Sequence, residues 1–337
     1  MLLAVWLLCL QVLLAEKCSK VNRRPQVQPP SFGLIQHGDK HKYAQHVQRY
    51  VASNKEIPAV CDEAVRVAIF NVNRLVDLLE SRPNSAMLRK DLETLQPTVV
   101  VLRNVPPAGA ELGRFESILE SLNYRYRAAC HASTFGNMIA SRMPLIPITQ
   151  ADLGYGCCLL AGSVRVGEDN VAIIGTALST NEERLAEQTK KVVRFIEASI
   201  TPTHPNFVLA GNFPAVWDSV ALRTIHENKG FSDVFRELKV QVPNYTFWNG
   251  RVEDYLFVSA PRGTILPDAT VRKPPLGAYT FQTLSSTNLP VAVDLDGAPE
   301  NPHFNDRKDR WIWTGIGSAA VFIVVLVACM IIQKVRR

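Results

Sequence analysis

The chain has 337 residues, of which 47% are hydrophobic and 20% charged. That is ordinary globular composition, enough for one large domain or two small ones, and it sets aside a disordered or fibrous chain. The net charge of +6 suits an acidic partner without requiring one, because a basic surface is commonly only a solvated face.

The first residues, MLLAVWLLCLQVLLAEKC, are apolar from Leu2 to Ala15 apart from Gln11 and turn polar at Glu16. The run is short for a membrane span and predicts a secretory signal peptide over 1–15, cleaved near Ala15. The n-region lacks its usual positive charge, and an uncleaved N-terminal anchor is the alternative. Residues 16–60 are rich in Pro, Gln and basic residues and read as an extension leading into the domain. Within it Tyr43, Val47, Tyr50 and Val51 have the spacing of a short amphipathic helix, and His37, His41 and His46 read as solvated rather than metal-binding.

From 61 to 296 the pattern is α/β alternation. VRVAIFNVN is a strand ending in polar residues, and NSAMLRKDLETL a helix with Met87, Leu88, Leu92 and Leu95 on one face. PTVVVLRNV is a second strand and GRFESILESL a second helix. YRYRAACHA, GNMIASRMPLIPI, CCLLAGSVRV and VAIIGTALST read as four strands in sequence. NEERLAEQTKKVVRFIEASI is a helix with Leu185, Val192, Val193 and Ile196 inward, followed by the strand NFVLAGN. VWDSVALRTIHENKG reads as a helix stopped by Gly230, and the strands VEDYLFVSA and LPVAVDL close the series. Residues 297–311 form a polar stalk. Ile312 to Ile332 carries no charge and is long enough to cross a bilayer. Trp311 and Trp313 suit the interfacial belt, and Lys334, Arg336 and Arg337 in the tail 333–337 suit the positive-inside rule. The expectation is a single-pass type I membrane protein on the secretory pathway or cell surface, its domain extracellular or lumenal.

Cys9 and Cys329 lie in the apolar ends. Cys18, Cys61, Cys130, Cys157 and Cys158 remain, an odd number for an oxidising compartment. Cys130 is expected to bridge to Cys157 or Cys158 across neighbouring strands of one sheet. Adjacent strand residues point to opposite faces, so only one of the vicinal pair can serve. No CxxC spacing supports a zinc site. Asn244, in NYT, is a glycosylation sequon. Gly315 and Ala319, or an odd cysteine, offer routes to a dimer.

Continuously apolar strands are usually buried on both faces, and the polar residues at their ends converge on one edge of a sheet, where layered α/β folds build their sites. Those residues are Asn71, Asn73, Asn104, Ala177, Asn212, Asp254 and Asn288. In order and spacing the motifs resemble the endonuclease/exonuclease/phosphatase superfamily, the DNase I-like fold, over about Val65 to Leu295. FNVNRL resembles its first strand end, LQPTVVVLRNV a strand ending Leu-Gln-Glu, and GNMIASRMPL a Gly-x-x-x-x-Ser-Arg-x-Pro strand. TALS followed by RLAEQ resembles Thr-His-Leu and then Arg-x-x-x-Gln. LAGNFP resembles Gly-Asp-Phe-Asn, RVEDYLFVS the Asp-Tyr strand, and STNLPVAVD Ser-Asp-His-x-Pro.

The resemblance implies an α/β four-layer β-sandwich of two mixed sheets flanked by helices. It also implies metal-assisted phosphoester hydrolysis by a Glu that holds Mg²⁺, a His–Asp pair and a water-activating Asp–Asn pair. This chain departs at most of those places. The metal Glu falls at Asn104 and the histidine of Thr-His-Leu at Ala177. The water-activating pair falls at Asn212 and Pro214, and the last Asp-His pair at Thr287 and Asn288. Asn71, Asn73 and Asp254 fit. Amides take no proton at neutral pH and bring no charge to a dication, and general-base and electrostatic terms each contribute orders of magnitude in rate.

The expectation is a pseudoenzyme without a cofactor that binds a protein or a phosphate-containing ligand. Gly211, Ser141, Arg142, Pro144, Arg184 and Gln188 persist as scaffold. The alternative is an active Mg²⁺-dependent hydrolase of nucleic acid or phospholipid head groups with a rearranged site, for which Asp218, Asp233 and Asp294 are the nearest unassigned acids.

Overall fold

The computed structural model describes residues 64–72, 85–106, 109–131, 136–228, 230–239, 246, 252–259, 275–280 and 290–295. The chain divides into two compact units, 1–297 and 298–337, and every described residue lies in the first. The signal, extension, stalk and membrane readings fall outside the described residues, as do Asn73, Asn244, Thr287, Asn288, Cys18 and Cys61. Among the described residues no helix is long and apolar enough to cross a membrane.

Two six-stranded sheets face each other. The first has the order β11-β12-β1-β2-β4-β3, the second β5-β6-β7-β8-β10-β9. In chain order the strands are β1 (Val65–Asn71), β2 (Val99–Val105), β3 (Tyr126–His131), β4 (Gly136–Ser141), β5 (Leu145–Gly154), β6 (Cys157–Val166) and β7 (Asp169–Ala177). They continue with β8 (Asn206–Asn212), β9 (Phe231–Asp233), β10 (Asp254–Ser259), β11 (Pro275–Thr280) and β12 (Val291–Leu295). The helices are α1 (Ser85–Leu95), α2 (Ala110–Ser121), α3 (Glu182–Phe195), α4 (Val220–His226) and α5 (Val234–Glu237). Each sheet is mixed: β1 runs parallel to β2 and β7 parallel to β8, while the other recorded pairs are antiparallel.

The period-2 alternation of a strand explains why the central strands are apolar throughout. Val67 and Ile69 of β1, Val99 and Val101 of β2, Val171 and Ile173 of β7, and Val208 and Ala210 of β8 fill the space between the sheets. The alternate residues face outward under helices. Phe70, Val100 and Leu102 meet Leu88 and Leu92 of α1 and Phe115 and Leu119 of α2. Ala172, Ile174, Phe207 and Leu209 meet Leu185, Val192 and Val193 of α3. The result is the expected four layers.

Helix α3 starts where Asn181 accepts a hydrogen bond from the Arg184 amide, with Glu182 and Glu183 in the positive first turn. A π-helical turn, Ile196–Ile200, follows it.

Three sequence readings change. GNMIASRMPLIPI is not one strand but β4 and β5, one in each sheet. Between them Ser141 Oγ accepts from the Met143 amide at 3.1 Å and donates to the Met143 carbonyl at 2.7 Å, fastening the turn that carries the chain across. The helix expected over 216–230 is confined to α4, because Ser219 caps the amide of Leu222 and starts it late. The elements β9, α5 and β11 were not anticipated; β9 and α5 are three and four residues long, too short to show a period.

Candidate functional site

Strand register builds the site. In the first sheet Cys130, Asn137, Arg103 and Asn71 are successive cross-strand partners, so they stand in one row. In the second sheet Ala177, Asn212 and Asp254 form the matching row. Cys158, one residue before the pair Leu159–Thr176, continues it. The two rows face each other between the sheets and close one end of the sandwich.

At one side the rows are joined covalently by the disulfide Cys130–Cys158. The sequence expectation of a bridge within one sheet is therefore corrected: β3 and β6 belong to different sheets, and the bond staples the layers together. Cys157 points to the other face of β6 and is a free, half-buried thiol, its pKa raised chiefly by burial. Asn137 Nδ2 supports the bridge by donating to the Cys158 carbonyl at 3.0 Å.

At the other side the rows are joined by charge. Arg103 Nη2 donates to Asp254 Oδ2 at 3.4 Å, and Arg103 Nε lies 3.1 Å from Oδ1 at an angle that makes no hydrogen bond. Both residues are buried, at 5% and 4% exposure. Asn212 Nδ2 also donates to Asp254 Oδ1 at 3.3 Å and to the Glu253 carbonyl at 3.2 Å. The Asp254 amide donates to Thr246 Oγ1 at 2.9 Å, fixing the strand start. Next to Asp254, the Tyr255 hydroxyl donates to the Ala215 carbonyl at 3.2 Å. Burial first, and the carboxylates of Asp233, Asp254 and Glu253 second, push that hydroxyl above its ordinary range, so it stays neutral.

Asn104 completes the group. Its φ of 56° places it in the left-handed region, which asparagine tolerates better than most residues. The register shifts there, Arg103 pairing with Asn137 and Val105 with Gly136, and the irregularity turns Asn104 toward β1. Its Nδ2 donates to Asn71 Oδ1 at 2.8 Å.

Of the expected strand-end residues, the structure places Asn71, Asn104, Ala177, Asn212 and Asp254 in these two rows and their edge; Asn73, Thr287 and Asn288 lie outside the described residues. Pro214 sits half-buried in the loop just past Asn212. The sequence reading missed Arg103 and Asn137. The signal for Arg103 was present: a charged residue at the end of an otherwise apolar strand, where the resembling motif Leu-Gln-Glu has an amide.

Of the expected scaffold residues, Ser141, Arg142, Arg184, Gln188 and Gly211 make contacts that hold elements together, and Pro144 is exposed. Gln188 Oε1 accepts from the Ser179 amide at 2.9 Å and its Nε2 donates to the Gly154 carbonyl at 2.9 Å, tying α3 to two strand ends. The Arg184 guanidinium lies over the Tyr155 ring and that of Arg142 over the Tyr124 ring. A methyl group on Gly211 would run into the Phe213 ring. Of the unassigned acids, Asp294 is bound to Arg66 (2.7 and 2.9 Å). Asp233 caps α5 by accepting from the amides of Phe235 and Arg236, and Asp218 is exposed.

The donors do not fit a divalent cation. Mg²⁺ takes hard, preferably charged oxygen ligands. Among the described residues no cluster of three His, Cys, Asp or Glu side chains exists. The one carboxylate of the facing rows, Asp254, already faces a guanidinium.

Two mixed sheets packed face to face, with helices outside and polar side chains across the strand ends, define a layered α/β sandwich. No family model and no curated protein matches the sequence; solved structures match in fold. The endonuclease/exonuclease/phosphatase protein of Beutenbergia cavernae aligns with a TM-score of 0.53 and 18% identity over 69% of this chain and 72% of its own. The catalytic domain of human Nocturnin, with a bound sulfate anion, aligns at 0.54 and 14% over 69% and 93%. TDP2 of D. rerio, in complex with a single-strand DNA product, aligns at 0.53 and 13% over 69% and 99%. The chain has the endonuclease/exonuclease/phosphatase, DNase I-like, fold.

Proposed function

We propose that this chain is a catalytically inactive protein of the endonuclease/exonuclease/phosphatase fold, held outside the cytosol on a type I membrane anchor and acting by binding. One observation carries the loss of catalysis: at the strand ends the side chains satisfy one another. Asn104 is bound to Asn71, and Asp254 is held by Arg103 and Asn212. No group in that set can take a proton from water at neutral pH without first breaking an internal ion pair. Of the acids a rearranged site would need, Asp294 is committed to Arg66 and Asp233 to the start of α5, and Asp218 is exposed. The apolar ends of the sequence support the membrane display, and the Cys130–Cys158 bond suits an oxidising compartment.

The test is hydrolysis by the complete chain in detergent, with Mg²⁺ or Mn²⁺, of single-stranded DNA, RNA and sphingomyelin. DNA is included because TDP2 holds it as a product. No turnover above the metal-only background is expected. Metal-dependent turnover abolished by Asp254→Ala would overturn the proposal.

A further inference from the structure

We infer that Arg103 is the resident cation of the strand-end site and the residue that keeps divalent metal out of it. The inference rests on the reading of the chain as inactive, and it names the cause. An ionised carboxylate buried between two sheets needs a countercharge, because the desolvation cost of a lone buried charge is several kcal/mol. In a site of the Mg²⁺-binding kind the dication supplies it. Here β2 supplies it instead, from the position beside Asn104: the guanidinium reaches across from the first sheet to the carboxylate on the second, at 3.1 and 3.4 Å.

The surrounding donors are consistent with this exchange. With the guanidinium in place, neutral amides suffice, and Asn71, Asn104, Asn137 and Asn212 are all amides. A cation entering the row would meet a fixed positive charge at ion-pair range of Asp254, the one carboxylate of the row among the described residues. Nε lies 3.1 Å from Oδ1 without a hydrogen bond, so at that atom the contact is one of charge, beside the hydrogen bond from Nη2.

Restoring carboxylates at Asn104 and Asn212 should therefore not restore metal binding while Arg103 remains. Three proteins are compared by calorimetric titration with Mn²⁺ alone: the wild type, Asn104→Glu/Asn212→Asp, and the same pair with Arg103→Gln. The wild type is expected to show no saturable binding. The triple variant is expected to bind more than about tenfold tighter than the double variant, since removing one positive charge at this range changes a dication's energy by more than 1.4 kcal/mol. Equal affinity of double and triple variants would overturn the inference, as would absence of binding by a folded triple variant.

Glu at position 104 must adopt the left-handed backbone found there, so a triple variant that does not melt cooperatively is replaced by Asn212→Asp/Arg103→Gln, compared with Asn212→Asp alone. Mn²⁺ is expected to raise the melting temperature of the Asn212→Asp/Arg103→Gln variant more than that of Asn212→Asp, and an equal or absent rise overturns the inference. Saturable Mn²⁺ binding by the wild type overturns it directly. Failure of the inactivity proposal is distinguishable, because that is read as turnover.

Discussion

Cys130 on β3 and Cys158 on β6 are joined, and the bond links the edge of one sheet to the interior of the other rather than two neighbours in a sheet. It closes a loop of 28 residues that includes the crossing from β4 to β5. Such a bond restricts the unfolded chain by an amount that grows with the length of the loop it closes.

Cys158→Ser is accordingly expected to lower stability by about 2–4 kcal/mol, measured by urea unfolding under non-reducing conditions. Cys157→Ser, on the other face of β6, is expected to change it by less than about 0.5 kcal/mol. Peptide mapping should find Cys130 linked to Cys158 with Cys157 free; a Cys130–Cys157 peptide would contradict the fold at this point.

Arg66 on β1 and Asp294 on β12 form a second buried pair, at the opposite end of β1 from Asn71. Arg66 is 1% exposed, and its Nη1 also donates to the Leu95 carbonyl, the last residue of α1. Removing one partner leaves the other charge buried. Asp294→Ala is expected to cost about 3–5 kcal/mol, with a large loss of melting temperature. Replacing both, as Arg66→Met/Asp294→Leu, should recover at least half of that loss, because a well-packed apolar pair carries no desolvation penalty. If the double variant is no better than Asp294→Ala, the hydrogen bond to Leu95 matters more than the charge.

The layers of this fold were legible because the central strands are buried on both faces, so runs such as VVVL and VAIIG have no surface reading that competes with a strand. The site's location was legible for a related reason: the first polar residue after each run marks the sheet edge. The division of GNMIASRMPLIPI between two sheets was not, since its apolar pattern continues through the crossing and only the Ser141–Met143 turn separates the halves. The disulfide partner followed in part from alternation, which allows only one of Cys157 and Cys158. Which sheet each cysteine occupies depends on strand pairing between residues far apart in sequence, and local pattern carries no such information. Arg103 was marked locally, as the charged residue ending an apolar strand, but its partner was not, lying 151 residues away.

Gly211 precedes Asn212 and has no room for a side chain, because a Cβ would press on the buried Phe213 ring and lie 3.0 Å from Thr176 Cγ2. Phe213 is fully buried, with edge-to-face contacts to Tyr255 and Phe257, so it has little space to yield. Gly211→Ala is expected to cost about 1–3 kcal/mol by overpacking, read as a lower urea midpoint. Gly113→Ala, whose added carbon would meet nothing within 4 Å on helix α2, should stabilise by up to about 1 kcal/mol.

Asp233 gives the domain a measurable pH dependence. Burial pushes its carboxyl up to about 6 from 3.8, against the opposing pull of the Arg236 and Phe235 amides and the Arg236 charge. Between these two values the folded chain holds a proton that the unfolded chain has released. The Asp233 contribution therefore makes the domain more stable as pH falls from 6 toward 4, and ionisation above pH 6 costs on the order of 2–3 kcal/mol. His204 acts in the opposite sense. Burial lowers its pKa below 6.5, so its contribution is present above that value and is lost as pH falls through the folded-state value. Asparagine is as good a helix N-cap as aspartate, so Asp233→Asn keeps the start of α5 while removing the titration. Urea unfolding of wild type and Asp233→Asn at pH 4, 5, 6 and 7 separates the two groups, because His204 is common to both proteins and cancels in the difference. The variant should be the more stable at pH 7, and its advantage should shrink steadily as the pH falls to 4. A difference that does not change with pH would mean that Asp233 is ionised throughout that range and acts only as a cap.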